Sequence, residues 1–162
     1  MHNVIPYGFK YGENFEIGDF VKIEDDVIVG GNVTIGNYVL LKKGTRIGDN
    51  CFIDSYVRSS GDNVIGNNCT IRYGATIAKQ VIIADNVFIS PNVMTIYTDH
   101  NGVPSNPTYI ADGAFIGTAA VLKNGITINR NVVIGAMSYV NMNCEIMGGI
   151  YVGQPVKYIG KR

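Results

Sequence analysis

Two histidines and three cysteines carry most of the reactive chemistry in this 162-residue chain. His2 lies near the N-terminus, and His100 lies in the segment TIYTDHNGVPSNPTY, residues 95–109. An imidazole changes protonation near neutral pH, so a positioned histidine can take the proton of an attacking hydroxyl. Long connections in compact domains are more often functional than accidental, which singles out His100. The competing reading is a solvated loop histidine. Asp99 and Asn101 flank His100 and are candidates to orient it or to contact a polar substrate, although both are also ordinary turn formers. Neighbours in an extended segment point to opposite sides, so no direct Asp99–His100 pair is expected. Cys51, Cys69 and Cys144 include no CxxC pair and are too few for a disulfide framework. All three read as small apolar filler. A catalytic zinc wants three histidines on such a scaffold, so no metal is expected.

Composition narrows the partners. Lys+Arg and Asp+Glu balance at 13 each, so no net field draws nucleic acid or an anionic membrane. No stretch approaches the roughly 20 apolar residues that cross a bilayer, and no basic region leads an apolar run. A soluble, cytoplasmic protein is expected. With 46% hydrophobic residues, the chain can bury the core of one domain over residues 1–162.

What must position these groups is written in a period of six. Aliphatic residues fall at Ile17, Ile23, Val29, Ile35, Leu41, Ile47 and Ile53, then at Ile65, Ile71, Ile77, Ile83 and Ile89, with Ser59 the interruption. The series restarts in another phase at Ile110 and runs through Ile116, Leu122, Ile128, Ile134, Val140, Ile146 and Val152. Two places before each stands a small or branched residue, such as Val21, Val27, Val33, Cys51, Cys69 or Ala75. Residues two apart on a strand share a face, so each pair points inward from a short strand. Three places after the aliphatic residue come Asp26, Asn32, Gly44, Asn50, Asp62, Asn68, Gly74, Asn86, Asn92, Gly113, Gly125, Asn131, Asn143 and Gly149, the residue types that tolerate positive φ at a corner. Three such hexads close a triangular coil and stack residues 18 apart. Asn32, Asn50, Asn68 and Asn86 then form one column, and Phe20, Tyr38 and Tyr56 another. The prediction is all-β: a parallel β-helix of about seven coils, with residues 95–109 extruded as a loop. The polar hexad RSSGDN, residues 58–63, puts Asn63 in an inward slot; an outward bulge and a tolerated irregularity both remain open.

In this pattern, with segments such as IGDNCFI, IADNVFISPNV, IGAMSYV and YVGQPVKYIGK, the chain closely resembles the hexapeptide-repeat acyltransferases over residues 17–160. The resemblance implies a left-handed helix, a homotrimer with active sites between neighbouring prisms, and acetyl-CoA as co-substrate. It is strongest to the subgroup acylating sugars for surface polysaccharides. It implies transfer of an acetyl group to the amine of a nucleotide-linked sugar, with transfer to a sugar hydroxyl as the alternative. His100 then matches the loop histidine that serves as general base. Gly117, Thr118, Gly135 and Ala136 match positions lining the pantetheine arm, where small residues and a backbone N–H donor to the oxyanion are needed. Simple repeat geometry also wants small residues there. Lys157, with Lys161 and Arg162, is a candidate for the nucleotide phosphates. The rival from another class is a non-catalytic β-helix binding scaffold, since fold alone does not prove activity. An ice-binding prism would need an outward array of threonines, and no column shows one.

Overall fold

The computed structural model describes residues 2–104 and 106–162. Most strands are two residues long, with one residue facing inward and one outward: Lys22–Ile23, Ile28–Val29, Thr34–Ile35, and onward to Tyr139–Val140. So short a strand cannot persist alone. Each is held by parallel pairing with strands one coil away, as Thr34 and Ile35 pair with Phe52 and Ile53. Three sheets result. The first face runs from Lys10–Tyr11 to Thr127–Ile128, the second from Glu16–Ile17 to Gly149–Val152, and the third from Lys22–Ile23 to Tyr139–Val140. The architecture is the left-handed parallel β-helix, of about eight coils where about seven were expected. No helix occurs among the described residues, so none is long and apolar enough to cross a membrane.

The two inward slots per strand build the core. Ile35, Ile53, Ile71, Ile89, Ile116 and Ile134 form one enclosed column, with Val33, Cys51, Cys69, Val87, Ala114 and Val132 beside it. Each large side chain so enclosed contributes about 1.5–3 kcal/mol of burial. The free thiols of Cys51 and Cys69 donate to the carbonyls of Gly66 and Ala84 at 3.1 and 3.0 Å. Hydrogen bonding to Cys51, then burial, raises the Cys69 pKa; burial pushes the Cys144 thiol up to about 12. The hydrogen bond from Cys69 lowers the Cys51 pKa, and all three thiols are packed in the core.

Three corners separate the faces. Twelve of the expected turn residues, from Asp26 to Asn131, have positive φ; Asn143 and Gly149 do not, and Gly148 turns that last corner at φ 69°. The corner between faces one and two carries the asparagine ladder, extended to Asn14, whose Nδ2 donates to Asn32 at 2.8 Å. The corner between faces two and three carries Phe20, Tyr38 and Tyr56, at φ 58°, 57° and 62°. Bulky residues pay about 1–2 kcal/mol for that region. Their rings stack at centroid spacings of 4.9 Å, continuing to Tyr73 at 5.2 Å. The corner between faces three and one carries the loop.

Three features of the register depart from expectation, and a fourth, the polar hexad, resolves an open alternative. The helix begins before residue 17: Lys10–Tyr11 pairs with Ile28–Val29, and Val4 bridges to Lys22. The loop spans residues 96–107 and not 95–109, because Thr95 and Thr108 are both buried in inward slots. Thr95 pairs with Leu122 and Ile83 with Ile110, 27 residues apart against the usual 18, an insertion of nine (27 − 18). Threonine in an aliphatic slot hid that strand. After Val140 the six-residue count fails. Cys144 takes the slot beside Ile128, two residues early, so it replaces an aliphatic residue and is not the small partner expected. Ile146 is consequently 38% exposed, Tyr151 pairs with Ile134, and Val152 faces outward. Lastly, the polar hexad does not bulge. Ser59 and Asn63 are buried, with Ser59 Oγ 2.6 Å from Asn63 Oδ1 and 2.5 Å from Thr45 Oγ1, while Asn63 Nδ2 donates to the Ala78 carbonyl. Thr95 Oγ1 accepts from Ala78 N at 2.6 Å, so a satisfied polar line runs inside the loop corner.

Candidate functional site

The loop is anchored at its root by Tyr97, which packs against the core. Beyond it the chain closes on itself: Thr98 bridges antiparallel to Pro104, Asp99 N donates to Val103 O at 3.0 Å, and Gly102 N donates to Asp99 O at 3.1 Å. Gly102 turns with φ 75°, where a side chain would be strained. Asp99 Oδ1 accepts from both Asn101 N and Val103 N, each at 2.9 Å. His100 stands exposed between these anchors, and Asn101 is exposed beside it. Asp99 thus shares the apex with His100, but one of its oxygens faces into the turn.

Gly117, Thr118, Gly135 and Ala136 come together at the aromatic corner, in two successive coils near the C-terminal end. A Cβ on Gly117 would lie 2.5 Å from Ala136 N and 2.6 Å from Ile134 O, so coil stacking alone requires glycine there. On Gly135 it would meet Val152 Cγ1 at 2.7 Å. Thr118 and Ala136 are exposed, and the corner between coils is closed by Met137 N donating to Thr118 O at 2.7 Å. The backbone N–H groups along this column differ sharply with height. Lower down, Asp19 N is capped by Asn37 Oδ1 at 2.7 Å and Asn37 N by Ser55 Oγ at 3.0 Å, each cap coming from the coil above. Above Thr118 the equivalent residue is Ala136, which has no acceptor. Among the described residues Thr118 N–H has no hydrogen-bond partner. A free amide on a surface of small residues is what a thioester or pantetheine carbonyl needs. Sequence reasoning chose these four residues by resemblance and could not see the uncapped amide; the signal available was Ala136 standing 18 residues after Thr118, in a column where Asn37 and Ser55 supply caps and Tyr73 and Pro91 do not.

Lys157 opens the antiparallel strand Lys157–Lys161 and pairs with Val152, which borders Gly135, so it lies by the same corner. Lys161 pairs with Gly149, and Arg162 N donates to Gly148 O at 2.9 Å; both lie at the asparagine corner instead. The nucleotide-phosphate candidates therefore separate, and only Lys157 joins the site.

Within one chain His100 is apart from this cluster. The loop leaves the corner after Met94–Thr95, while Thr118 precedes Val121–Leu122, the strand paired with it. The root of the loop and Thr118 lie in successive coils, on the two edges of face three. A surface cleft of about 630 Å³ lies elsewhere, at the first coils among Tyr7, Lys10, Asp25, Lys43 and Arg46. Among the described residues no group of three His, Cys, Asp or Glu side chains is placed to share a metal ion.

Two family models match this parallel β-helix of stacked hexads. The model of the "Bacterial transferase hexapeptide (six repeats)" family matches residues 44–79 and 62–95, and that of the "Hexapeptide repeat of succinyl-transferase" matches 20–55 and 107–141. The chain belongs to the hexapeptide-repeat transferase family. It is 30% identical over 132 residues to the bifunctional protein GlmU of Thermotoga maritima, a match covering 79% of this chain and 24% of the relative. The chain thus spans about a quarter of the length of that relative. Among solved structures it is similar to a galactoside acetyltransferase in complex with coenzyme A, at 30% identity and TM-score 0.66, over 74% of this chain and 65% of that one. A UDP-N-acetylglucosamine acyltransferase from Campylobacter jejuni shares the fold at TM-score 0.71 and 21% identity, over 98% of this chain and 73% of that one.

Proposed function

We propose that the protein is an acetyl-CoA-dependent acetyltransferase acting on a sugar, working as a homotrimer whose sites form between neighbouring copies. The observation that carries this is the uncapped Thr118 N–H on the small-residue corner, one coil from the root of the His100 loop. A corner of one copy set against the loop of the next brings the two together, which a symmetric ring of identical chains provides. Acetyl-CoA lies along the corner with Gly135 and Ala136 admitting its arm and Lys157 near its nucleotide phosphates. Asn101, exposed beside His100, contacts the sugar. His100 takes the proton of the acceptor hydroxyl as its oxygen attacks the thioester carbonyl, and Thr118 N–H receives the oxyanion. Collapse releases the coenzyme A thiolate, which takes the proton back from the imidazolium.

The exposed imidazole favours a hydroxyl acceptor, since a hydroxyl needs a base. The second reading, an amine of a nucleotide-linked sugar in polysaccharide synthesis in the cytoplasm, rests on the resemblance of the repeats. Thiol release from acetyl-CoA, measured with a galactoside, UDP-N-acetylglucosamine and dTDP-4-amino-4,6-dideoxyglucose, separates them. His100→Ala is expected to lower hydroxyl acetylation about 100-fold to 10,000-fold while leaving coenzyme A binding intact. Turnover at the wild-type rate in His100→Ala, or a monomer by light scattering, would refute the base and the shared site respectively.

A further inference from the structure

We infer that Asp99 is a positioning residue for His100 and not a contact to substrate. This rests on the reading of His100 as the base. Asp99 Oδ1 accepts from the backbone amides of Asn101 and Val103 at 2.9 Å each, so its side chain spans His100 from the residue before it to the residues after it. The Asp99 backbone closes the same turn from both sides, through Val103 O and Gly102 N. Residues 99–103 are thereby locked into one closed bend that carries the exposed His100, with Gly102 supplying the positive φ that lets it close. Beyond the Thr98–Pro104 bridge and the Asp99 backbone bonds no strand supports the tip, so this carboxylate supplies the two further bonds that fix it. A base must sit within about 3 Å of the proton it removes, and a displacement of about 1 Å costs on the order of 100-fold. Fixing two amides with one oxygen is the means by which an exposed loop meets that tolerance. The task needs an acceptor oxygen at this place and no negative charge, so an amide oxygen performs it equally.

The test is a set of four variants assayed with acetyl-CoA and whichever of the three sugar acceptors above turns over fastest. Asp99→Ala is expected to lower kcat about 10-fold to 100-fold with KM for the acceptor within about 3-fold of wild type. Asp99→Asn, which keeps Oδ1, is expected to retain activity within about 3-fold. In the His100→Ala background, Asp99→Ala is expected to cost nothing further, because a residue acting through the imidazole has nothing left to position. Amide hydrogen exchange at Asn101 and Val103 is expected to quicken in Asp99→Ala and not in Asp99→Asn, a readout independent of turnover. A loss that persists in the His100→Ala background, or a rise in acceptor KM alone, would overturn the inference and make Asp99 a substrate contact. Unchanged exchange in Asp99→Ala would overturn it on structural grounds. If His100→Ala itself keeps full activity while exchange quickens, the base reading fails and the loop-fixing role of Asp99 stands apart from it.

Discussion

Replacing Ala136 by asparagine should make the protein more stable and less active at once. The column below shows why. Asn37 stands one coil above Asp19 and caps its amide at 2.7 Å, and Ser55 caps Asn37 at 3.0 Å. Position 136 stands in the same relation to Thr118, one residue before a positive-φ corner, Met137 at 56°, as Asn37 precedes Tyr38 at 57°. An asparagine there inherits backbone geometry that already aims an Oδ1 at the amide beneath. One new hydrogen bond adds about 0.5–1.5 kcal/mol, which raises Tm by roughly 1–6 °C in a chain of this size. The same bond withdraws Thr118 N–H from the oxyanion, and loss of one such donor costs about 100-fold to 1,000-fold in kcat. Thermal unfolding followed by fluorescence or circular dichroism, beside thiol release from acetyl-CoA, reads both quantities. A side-chain obstruction of the corner would instead weaken coenzyme A binding, so the binding constant is measured in parallel and is expected to change less than kcat. Ala136→Val, bulky but without an acceptor, controls for size. Wild-type turnover in an Ala136→Asn protein that has gained stability would show that Thr118 N–H plays no part in the reaction.

Gly117→Ala should lower Tm by about 6–12 °C, an overpacking cost near 3 kcal/mol, because the added methyl meets only backbone of the next coil, at 2.5–2.7 Å. Gly135→Ala should lower Tm by no more than about 4 °C, since it meets the Val152 side chain, which can turn; equal losses would show that stacking does not explain Gly117. Asn63→Leu should destabilise by about 3 kcal/mol, as the amide of Gly61, the carbonyl of Ala78 and the hydroxyl of Ser59 lose the partner they share, and denaturant unfolding reads it. Tyr56→Gly should be less destabilising than Tyr56→Ala by about 1 kcal/mol, because both lose the ring stack but only glycine is relieved at φ 62°. Native protein at pH 8 should leave Cys144 unmodified by a thiol-specific reagent, since a thiol held near pKa 12 stays protonated there, and denatured protein should expose it; rapid native labelling of Cys144 would contradict its burial.

Much of this fold was legible because its instructions are local. An inward aliphatic residue, a small partner two places earlier and a turn former three places later are all decided within one hexad, and stacking merely repeats them. The asparagine and aromatic columns followed from arithmetic, since residues 18 apart must coincide once three hexads close a coil. His100 stood out by the same logic, as the histidine on the break in period. What only the tertiary structure decided depends on the neighbour one coil away. Thr95 and Thr108 are core residues because their hydroxyls find partners inside the prism, at Ala78 N and Gly125 N, which their own hexads do not reveal. Cys144 could leave the small slot, and Ile146 the core, because the closing coil is free to change length where no further coil stacks upon it. Lys157 parts from Lys161 and Arg162 because the last strand runs back antiparallel, carrying its two ends to different corners. The uncapped amide of Thr118 belongs to neither Thr118 nor Ala136 separately: it exists because a residue without an acceptor lies above a backbone donor, a relation that stacking creates.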